Sequence, residues 1–376
     1  MDKNIQLYSI LGKLFSEHTL SFAEYCALID CRNSILPIDK NFLDKFQINH
    51  SGALSSNEIS VCALCKLYAK KIAISVYGNK VFIRGLVEFS NYCKNNCYYC
   101  GIRAENSNAE RYRLSKEQII ECFDKGYEIG FRTLVIQGGE DLFFSDEMIA
   151  DIVRSIKNLH PDCAVTLSLG EKEFEIYKLW KEAGADRYLL RHETASDEHY
   201  RKLHPCSLSP EHRKQCLWNL KSLGFQTGAG FMVGSPYQTT QNLAEDLLFL
   251  KDLNPEMIGI GPFIHHSQTP FKNMKDGSCE ETLFLLSVLR IMFPNVLLPA
   301  TTALGTIESD GREQGILCGA NVIMPNLSPV LHRKDYLLYD NKITTGEEAG
   351  ENLRLLKESM NKIGYEIVVS RGDFKK

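Results

Sequence analysis

No run of about 18 consecutive apolar residues occurs in this chain, so it offers no candidate membrane helix. Blocks of like charge are missing too. The 43 Lys and Arg and 47 Asp and Glu are interspersed and leave a formal net charge of −4, which excludes the basic stripe of a nucleic-acid or anionic-membrane binder. Internal repeats, low-complexity tracts and flexible linkers are absent. The opening MDKNIQLYSILGKLF is too polar for a secretory leader. Cysteine is not scarce, but an odd 13 spread over 376 residues lacks the dense pattern of a secreted disulfide scaffold. The expectation is a cytoplasmic globular protein that buries roughly 75% of its unfolded surface.

What is present concentrates in one loop. Cys93, Cys97 and Cys100 stand in the run FSNYCKNNCYYCGIR, a C-x3-C-x2-C pattern directly after the strand-like VFIRGLVEF. Three thiolates at this spacing suit three corners of a cubane iron–sulfur cluster, with one iron left open to a small molecule. Two other readings stand beside it. A structural zinc would need a fourth donor from elsewhere, and three thiols also pack as small hydrophobes.

Residues 1–78 read as helical, with apolar residues at three-to-four spacing over Asn4–Phe15, Ser21–Cys31 and Ser56–Tyr77, and Thr19 or Ser21 and Ser56 as caps. From Val81 the rhythm changes to strand, turn, helix. Eight short apolar runs are expected as strands: 81–89, 133–137, 164–169, 187–190, 226–232, 257–260, 295–299 and 320–324. Helices are expected between them at 116–129, 146–159, 172–183, 210–223, 240–253, 280–292 and 309–317. Ser115-x-x-Gln118 reads as a capping box and Ser209-Pro210 as cap and first turn. This pattern predicts an α/β fold, a complete (β/α)8 TIM-type barrel, over 79–342, with the helical extension before it and a short helical tail, 343–376, after it.

In such a barrel the chemistry sits in the loops after the strands. The cysteine loop follows the first. Gly138-Gly139-Glu140-Asp141 follows the second, two glycines allowing close backbone approach to a ligand and a carboxylate coming after. Leu169-Gly170-Glu171 follows the third. Arg191-His192-Glu193 follows the fourth, where Glu193 suits a ribose or amine and Arg191 a carboxylate. Arg213, in the next helix, is a second carboxylate clamp, and Met232 offers a thioether surface. His265-His266 follows the sixth run; adjacent histidines on extended chain diverge, which argues against a shared metal. Thr301 and Thr302 supply hydroxyls, and Met324 closes the ring. Hydroxyls and arginines with few free carboxylates suit an anionic substrate. Cys62 and Cys65 form a CxxC inside a helical run, where packing is the expected role.

The cysteine loop resembles that of the radical S-adenosylmethionine (SAM) enzymes, whose open iron is chelated by the methionyl amine and carboxylate of SAM. In them an electron from the cluster cleaves SAM to a 5′-deoxyadenosyl radical. More widely, residues 80–340 resemble the radical SAM maturases of FeFe-hydrogenase, on EFSNYCKNNCYYCGIR, IQGGED, SLGE, AGADRYLLRHETA, GAGFMVG, IGIGPFI, PATTALGT and CGANVIMPN. That resemblance implies a 4Fe-4S cluster on the three cysteines, with Tyr99 near the adenine. It implies SAM contacts around Gly138, Gly139, Glu140, Glu193, Arg213 and Met232. It further implies an internal anion-binding cavity including Arg187, Thr301, Thr302 and Met324, and a small iron carbonyl–cyanide–cysteine complex as substrate. Implied partners are companion maturases and a reducing flavodoxin or ferredoxin, with no nucleic acid or membrane.

Departures from the family pattern are visible. Many members carry a second cluster on cysteines near the C-terminus; here the last cysteine is Cys318, so one cluster is expected. The family's Gly-Leu-Pro-Gly-Gln is Gly234-Ser235-Pro236-Tyr237-Gln238, and its Phe-Ile-Pro-His is Phe263-Ile264-His265-His266. Two alternatives remain at this stage. One is an amino-acid-directed radical SAM enzyme similar to methylornithine synthase or biotin synthase; the other is an iron–sulfur scaffold without turnover.

Overall fold

The computed structural model describes residues 3–48, 57–343 and 349–375. Six parallel strands are hydrogen-bonded in chain order: β1 (Gly85–Ser90), β2 (Thr133–Gly138), β3 (Ala164–Ser168), β4 (Arg187–Leu189), β5 (Gln226–Ala229) and β6 (Met257–Ile258). Parallel bridges carry the ring onward. Met257 pairs with Leu297 and Pro299 with Val322, which makes 297–299 the seventh segment, β7, and Val322–Ile323 the eighth strand, β8. A bridge from Leu86 to Asn326 returns to β1 and closes the (β/α)8 barrel.

The strands form because their residues have nowhere wet to go. Leu134, Val135 and Ile136 of β2 are all buried, the mark of a strand covered on both faces. The outer helices show one apolar stripe each. Asp146–Leu159, capped by Ser145, buries Ile149, Ala150, Ile152, Val153 and Ile156, and each isoleucine contributes about 1.5–3 kcal/mol of transfer free energy. Both start signals hold: Ser115 and Gln118 form the capping box of Lys116–Glu128, and Ser209 caps Pro210–Ser222 with proline in the first turn. Cys279–Met292 is buried nearly all round, because the extension helix Val61–Tyr77 packs on its outer side. Cys65 is buried on that extension helix, and burial pushes the Cys62 and Cys65 thiols up, as packed rather than reactive groups require.

Several boundaries differ from expectation. Ser21 forms the cap of Phe22–Asp30, whereas Ser56 lies outside the described residues and Ser60 caps the helix that follows it. The run 81–89 is two strands. Lys80–Ile83 pairs with Val322–Ile323 and Glu366–Val368, and β1 begins only after Arg84, whose buried guanidinium donates to the Met257 thioether at 3.0 Å. The tail, expected as helical, also contains a strand. Helix Ala349–Lys362 leads into Glu366–Val368, and Arg371–Asp373 then close the floor of the barrel.

Candidate functional site

The cysteine loop is folded around a side chain that carries no cluster chemistry. The Arg111 guanidinium donates to the carbonyls of Ile102 (2.9 Å), Arg103 (2.6 Å), Asn106 (3.2 Å) and Asn91. Asn91 adds its own cross-links, donating to Glu110 O at 2.6 Å and Asp335 O at 2.7 Å. At the far end the Gly101 N–H donates to Leu338 O at 2.9 Å. A Cβ at Gly101 would lie 2.2 Å from Leu337 O and 2.3 Å from the His266 ring, so only glycine fits.

The glycine pair after β2 is pressed against this loop. The Gly139 N–H donates to Ser90 O, and the Lys94 N–H donates to Glu140 O at 3.0 Å. A Cβ on Gly139 would meet Tyr92 O at 2.2 Å and Cys93 Cβ at 2.8 Å. The Glu140 carboxylate pairs with Lys94 at 3.1 Å and lies against Gly170, where a side chain would overlap it. Asp141 is held by a two-pronged Arg113 fork at 2.7 and 2.9 Å and by the Ser90 hydroxyl at 2.6 Å. Arg113 in turn stacks 3.7 Å over the Tyr92 ring.

Beside the thiols sits a second polar layer. Arg213 donates to Glu171 at 2.6 Å and to Arg191 O at 2.7 Å, tying the loops after β3 and β4 together. Glu193 adopts φ +66°, a backbone strain concentrated at functional sites, while its N–H bonds Gly230 O. Its Oε2 lies 3.2 Å from an Arg191 nitrogen without an aligned hydrogen bond, and both atoms are buried without a partner among the described residues. His192 points the other way, into the core between Phe231 and Phe249, 3.2 Å from Asp246. Tyr99 meets His204 Nε2 at 3.1 Å; His204 Nδ1 donates to Tyr200 O at 3.0 Å, which makes Nε2 the acceptor for the phenol. Burial lowers the His204 pKa to about 3, so the ring is neutral.

A cavity of about 270 Å³ opens beneath these loops. Cys100, Tyr99, Arg191, Glu193, Met232, Thr301, Thr302 and Met324 all line it, together with apolar Leu86, Leu189, Phe263 and Pro299. Cys93, Cys97, Gly138, Gly139, Glu140 and Arg213 are not wall residues; the last four brace the loops that are. Arg187 is misplaced in the sequence reading. Its side chain is wholly buried at the barrel floor, donating to Asp373 at 2.7 Å, Arg371 O at 2.8 Å and Thr133 at 3.2 Å. An arginine at the start of β4 points to the opposite end from one after it, which is why Arg191 reaches the cavity and Arg187 does not.

Other wall residues were missed. Glu88, Gln137, Arg312, Arg333, Tyr339 and Lys342 all line the cavity, and Ile343 and Asn352 do so from the tail. Glu88 sits in β1 within the run already read as a strand, so its inward register was the available signal. His265 bonds Asp276 at 2.7 Å, whereas the buried His266 abuts Gly101; the two do not converge.

Three thiols from one loop are the donor chemistry an iron–sulfur cluster takes, while among the described residues no three such donors gather closely enough to hold a single metal ion. The three thiols sit in one braced loop, and Cys100 borders a cavity able to take a small molecule. Burial pushes the Cys97 thiol up to about 12, against a pull from Arg213, and raises Cys93 and Cys100 as well. Metal loading must therefore displace protons.

Comparison with known proteins agrees with the geometry. Residues 87–250 match the family model of the radical SAM superfamily. The chain is 50% identical over 286 residues to the FeFe-hydrogenase maturase subunit HydE of Thermotoga maritima, covering 76% of this chain and 81% of that protein. It is 28% identical over 307 residues to 3-methylornithine synthase of Methanosarcina acetivorans, covering 80% and 85%. The crystal structure of methylornithine synthase superposes with a TM-score of 0.74 at 23% identity, over 96% of this chain and 97% of that one, a likeness of fold.

Proposed function

The chain belongs to the HydE family of FeFe-hydrogenase maturases within the radical SAM superfamily, and on that premise we propose that it helps assemble the diiron portion of the hydrogenase active cluster. It is a radical SAM enzyme with one 4Fe-4S cluster and S-adenosylmethionine as cofactors. When bound, a 4Fe-4S cluster would supply the electron for reductive cleavage of S-adenosylmethionine. Cys93, Cys97 and Cys100 hold the cluster. Arg111 keeps their loop in one shape through four carbonyls. Tyr99, Gly138, Gly139, Glu140, Glu193, Arg213 and Met232 surround SAM. Arg191, Thr301, Thr302 and Met324 face the substrate, a cysteine-bound iron carbonyl–cyanide complex.

One observation carries the substrate class. Arg191, Arg312, Arg333 and Lys342 line the cavity against only two carboxylates, Glu88 and Glu193, and each carboxylate already faces a cation within 3.2 Å. Such a wall favours an anion. An amino-acid mutase would need carboxylates free to hold a substrate ammonium, and the wall offers none. The partners proposed are companion maturases and a flavodoxin or ferredoxin as reductant, in the cytoplasm; no helix among the described residues is long and apolar enough to cross a membrane.

The test is anaerobic. The protein is reconstituted with iron and sulfide, given SAM and dithionite with and without the complex, and assayed for 5′-deoxyadenosine. Adenosyl product captured on the sulfur of the complex is expected. SAM cleavage indifferent to the complex would reopen the substrate, and no cleavage from a well-formed cluster would leave a scaffold.

A further inference from the structure

Buried guanidinium groups in this protein are, with few exceptions, given acceptors. Arg290 donates to Gly319 O, Pro294 O and Asn321, Arg187 to Asp373 and backbone carbonyls, and Arg213 to Glu171. Arg312 is different. It comes from helix Gly311–Leu317, which follows β7, and it lines the cavity, yet it has no hydrogen bond or ion pair among the described residues. Beneath it lies Gly305, where a Cβ would stand 3.4 Å from the Arg312 Nε, so the bare backbone leaves the guanidinium room. Tyr339 and Thr302 also line the cavity. Arg312 is half-buried at the cavity wall with only its neighbour Glu313 set against its charge and no hydrogen bond to its fork, which leaves a place for an anion to bring its own charge.

We propose that Arg312 is a specificity-determining residue, which binds the carboxylate of the cavity's small anionic substrate through its planar fork. The inference rests on the substrate class proposed above and adds the group that reads it. Arg191 comes from the loop after β4 and Arg312 from a helix that follows β7, three strands on around an eight-strand ring, so they face the cavity from different sides. A ligand held by both is fixed in orientation within the cavity that Cys100 and Tyr339 also line. A planar fork prefers carboxylate to a spherical anion, so this wall selects an amino-acid-bearing complex over a bare inorganic ion.

The experiment uses the cluster-loaded full chain as wild type, Arg312→Gln and Arg312→Lys. Three readouts are taken: the cluster's absorption and paramagnetic spectra, 5′-deoxyadenosine formed from SAM alone, and the dependence of turnover on the cysteine-bound iron complex. Calorimetric titration with L-cysteine, beside chloride, gives a binding readout free of turnover. Arg312→Gln is expected to keep the cluster spectra while raising KM for the complex about tenfold or more, with kcat changed less. It should weaken L-cysteine binding similarly and leave chloride binding little altered, and Arg312→Lys should recover part of the loss. Equal KM and equal L-cysteine binding in wild type and Arg312→Gln overturn the proposal, as does an L-cysteine titration that is silent in wild type. If the complex stimulates nothing but L-cysteine binding still depends on Arg312, the carboxylate site stands and the maturase substrate falls.

Discussion

The Glu88 carboxylate and the Lys342 ammonium lie 2.5 Å apart inside the barrel, joining β1 to a segment 254 residues later. Asn326 donates to the other Glu88 oxygen at 2.8 Å, and Lys342 also donates to Tyr336 O at 2.8 Å. Both side chains are almost sealed from solvent, Lys342 at 8% and Glu88 at 1% exposure, so neither is screened by water. Removing one partner strands the other. Lys342→Met should cost about 3–5 kcal/mol in urea unfolding, whereas the double variant Glu88→Met with Lys342→Met should recover much of it. Additive losses in the double variant would show that the two groups act independently.

Arg111 makes a prediction about metal content rather than stability. Its four acceptors are all carbonyls of the cysteine loop or its approach, so truncation frees the loop without opening the core. Arg111→Met is expected to fold normally by circular dichroism and to retain less than about half the wild-type iron after reconstitution. Arg111→Lys should fall between, since an ammonium cannot span the same fan of acceptors. Full iron loading in Arg111→Met would show that the loop holds its shape without the clamp.

Gly139 and Gly78 offer a paired comparison. A Cβ at Gly139 meets backbone, Tyr92 O at 2.2 Å, next to a cluster cysteine. Gly78 has φ +67° with nothing within 4 Å of where a Cβ would stand, and it ends the extension helix, outside the cysteine loop. Gly78→Ala should cost about 1 kcal/mol of stability through its backbone alone and leave SAM cleavage unchanged. Gly139→Ala should lower SAM cleavage at least about 100-fold, because a displacement of about 1 Å at a reacting site costs that much. Radical formation at the wild-type rate in Gly139→Ala would remove the glycine from the SAM site.

The barrel was legible because each strand–helix unit announces itself locally: an apolar run, then a capping serine such as Ser115 or Ser209. The cluster loop was legible because its three donors lie within eight residues of one segment. What stayed hidden has no local signature. Arg111 binds carbonyls, which carry no residue identity, and Lys342 reaches Glu88 across most of the chain. Arg187 was misjudged because a strand's two ends differ in function while looking alike in sequence; only the tail's Asp373 reveals which end it occupies.

His204 carries a pH prediction. Burial holds its folded pKa near 3, while the unfolded chain titrates near 6.5. Between those values the unfolded state binds the extra proton, so stability is full above about pH 6.5 and falls as pH drops toward 3. The slope from this residue is at most about 1.4 kcal/mol per pH unit. His204→Gln can still accept the Tyr99 hydroxyl but cannot titrate. Its urea midpoint should therefore fall less steeply than wild type between about pH 6.5 and 5, and parallel curves would assign the acid sensitivity elsewhere.

The barrel floor separates structure from chemistry. Arg187 donates to Asp373, whose carboxyl burial would raise, yet hydrogen bonds from Arg187, Gln226 and Arg371 hold it below the usual carboxylate range. Asp373 is 41% exposed, so solvent screens the pair and its loss is modest on the carboxylate side. The cost of Asp373→Ala falls on Arg187, which keeps only carbonyls and the Thr133 hydroxyl in a fully buried site. A loss of about 1–3 kcal/mol is expected, with the acid-side slope reduced, because a carboxylate depressed by folding stabilises above its unfolded pKa and loses that contribution as pH falls. SAM cleavage and its response to the iron complex should be unchanged at a temperature where the variant stays folded. If the response to the complex were lost while stability held, Arg187 would be reading the substrate after all, and the tail would be part of the site rather than its floor.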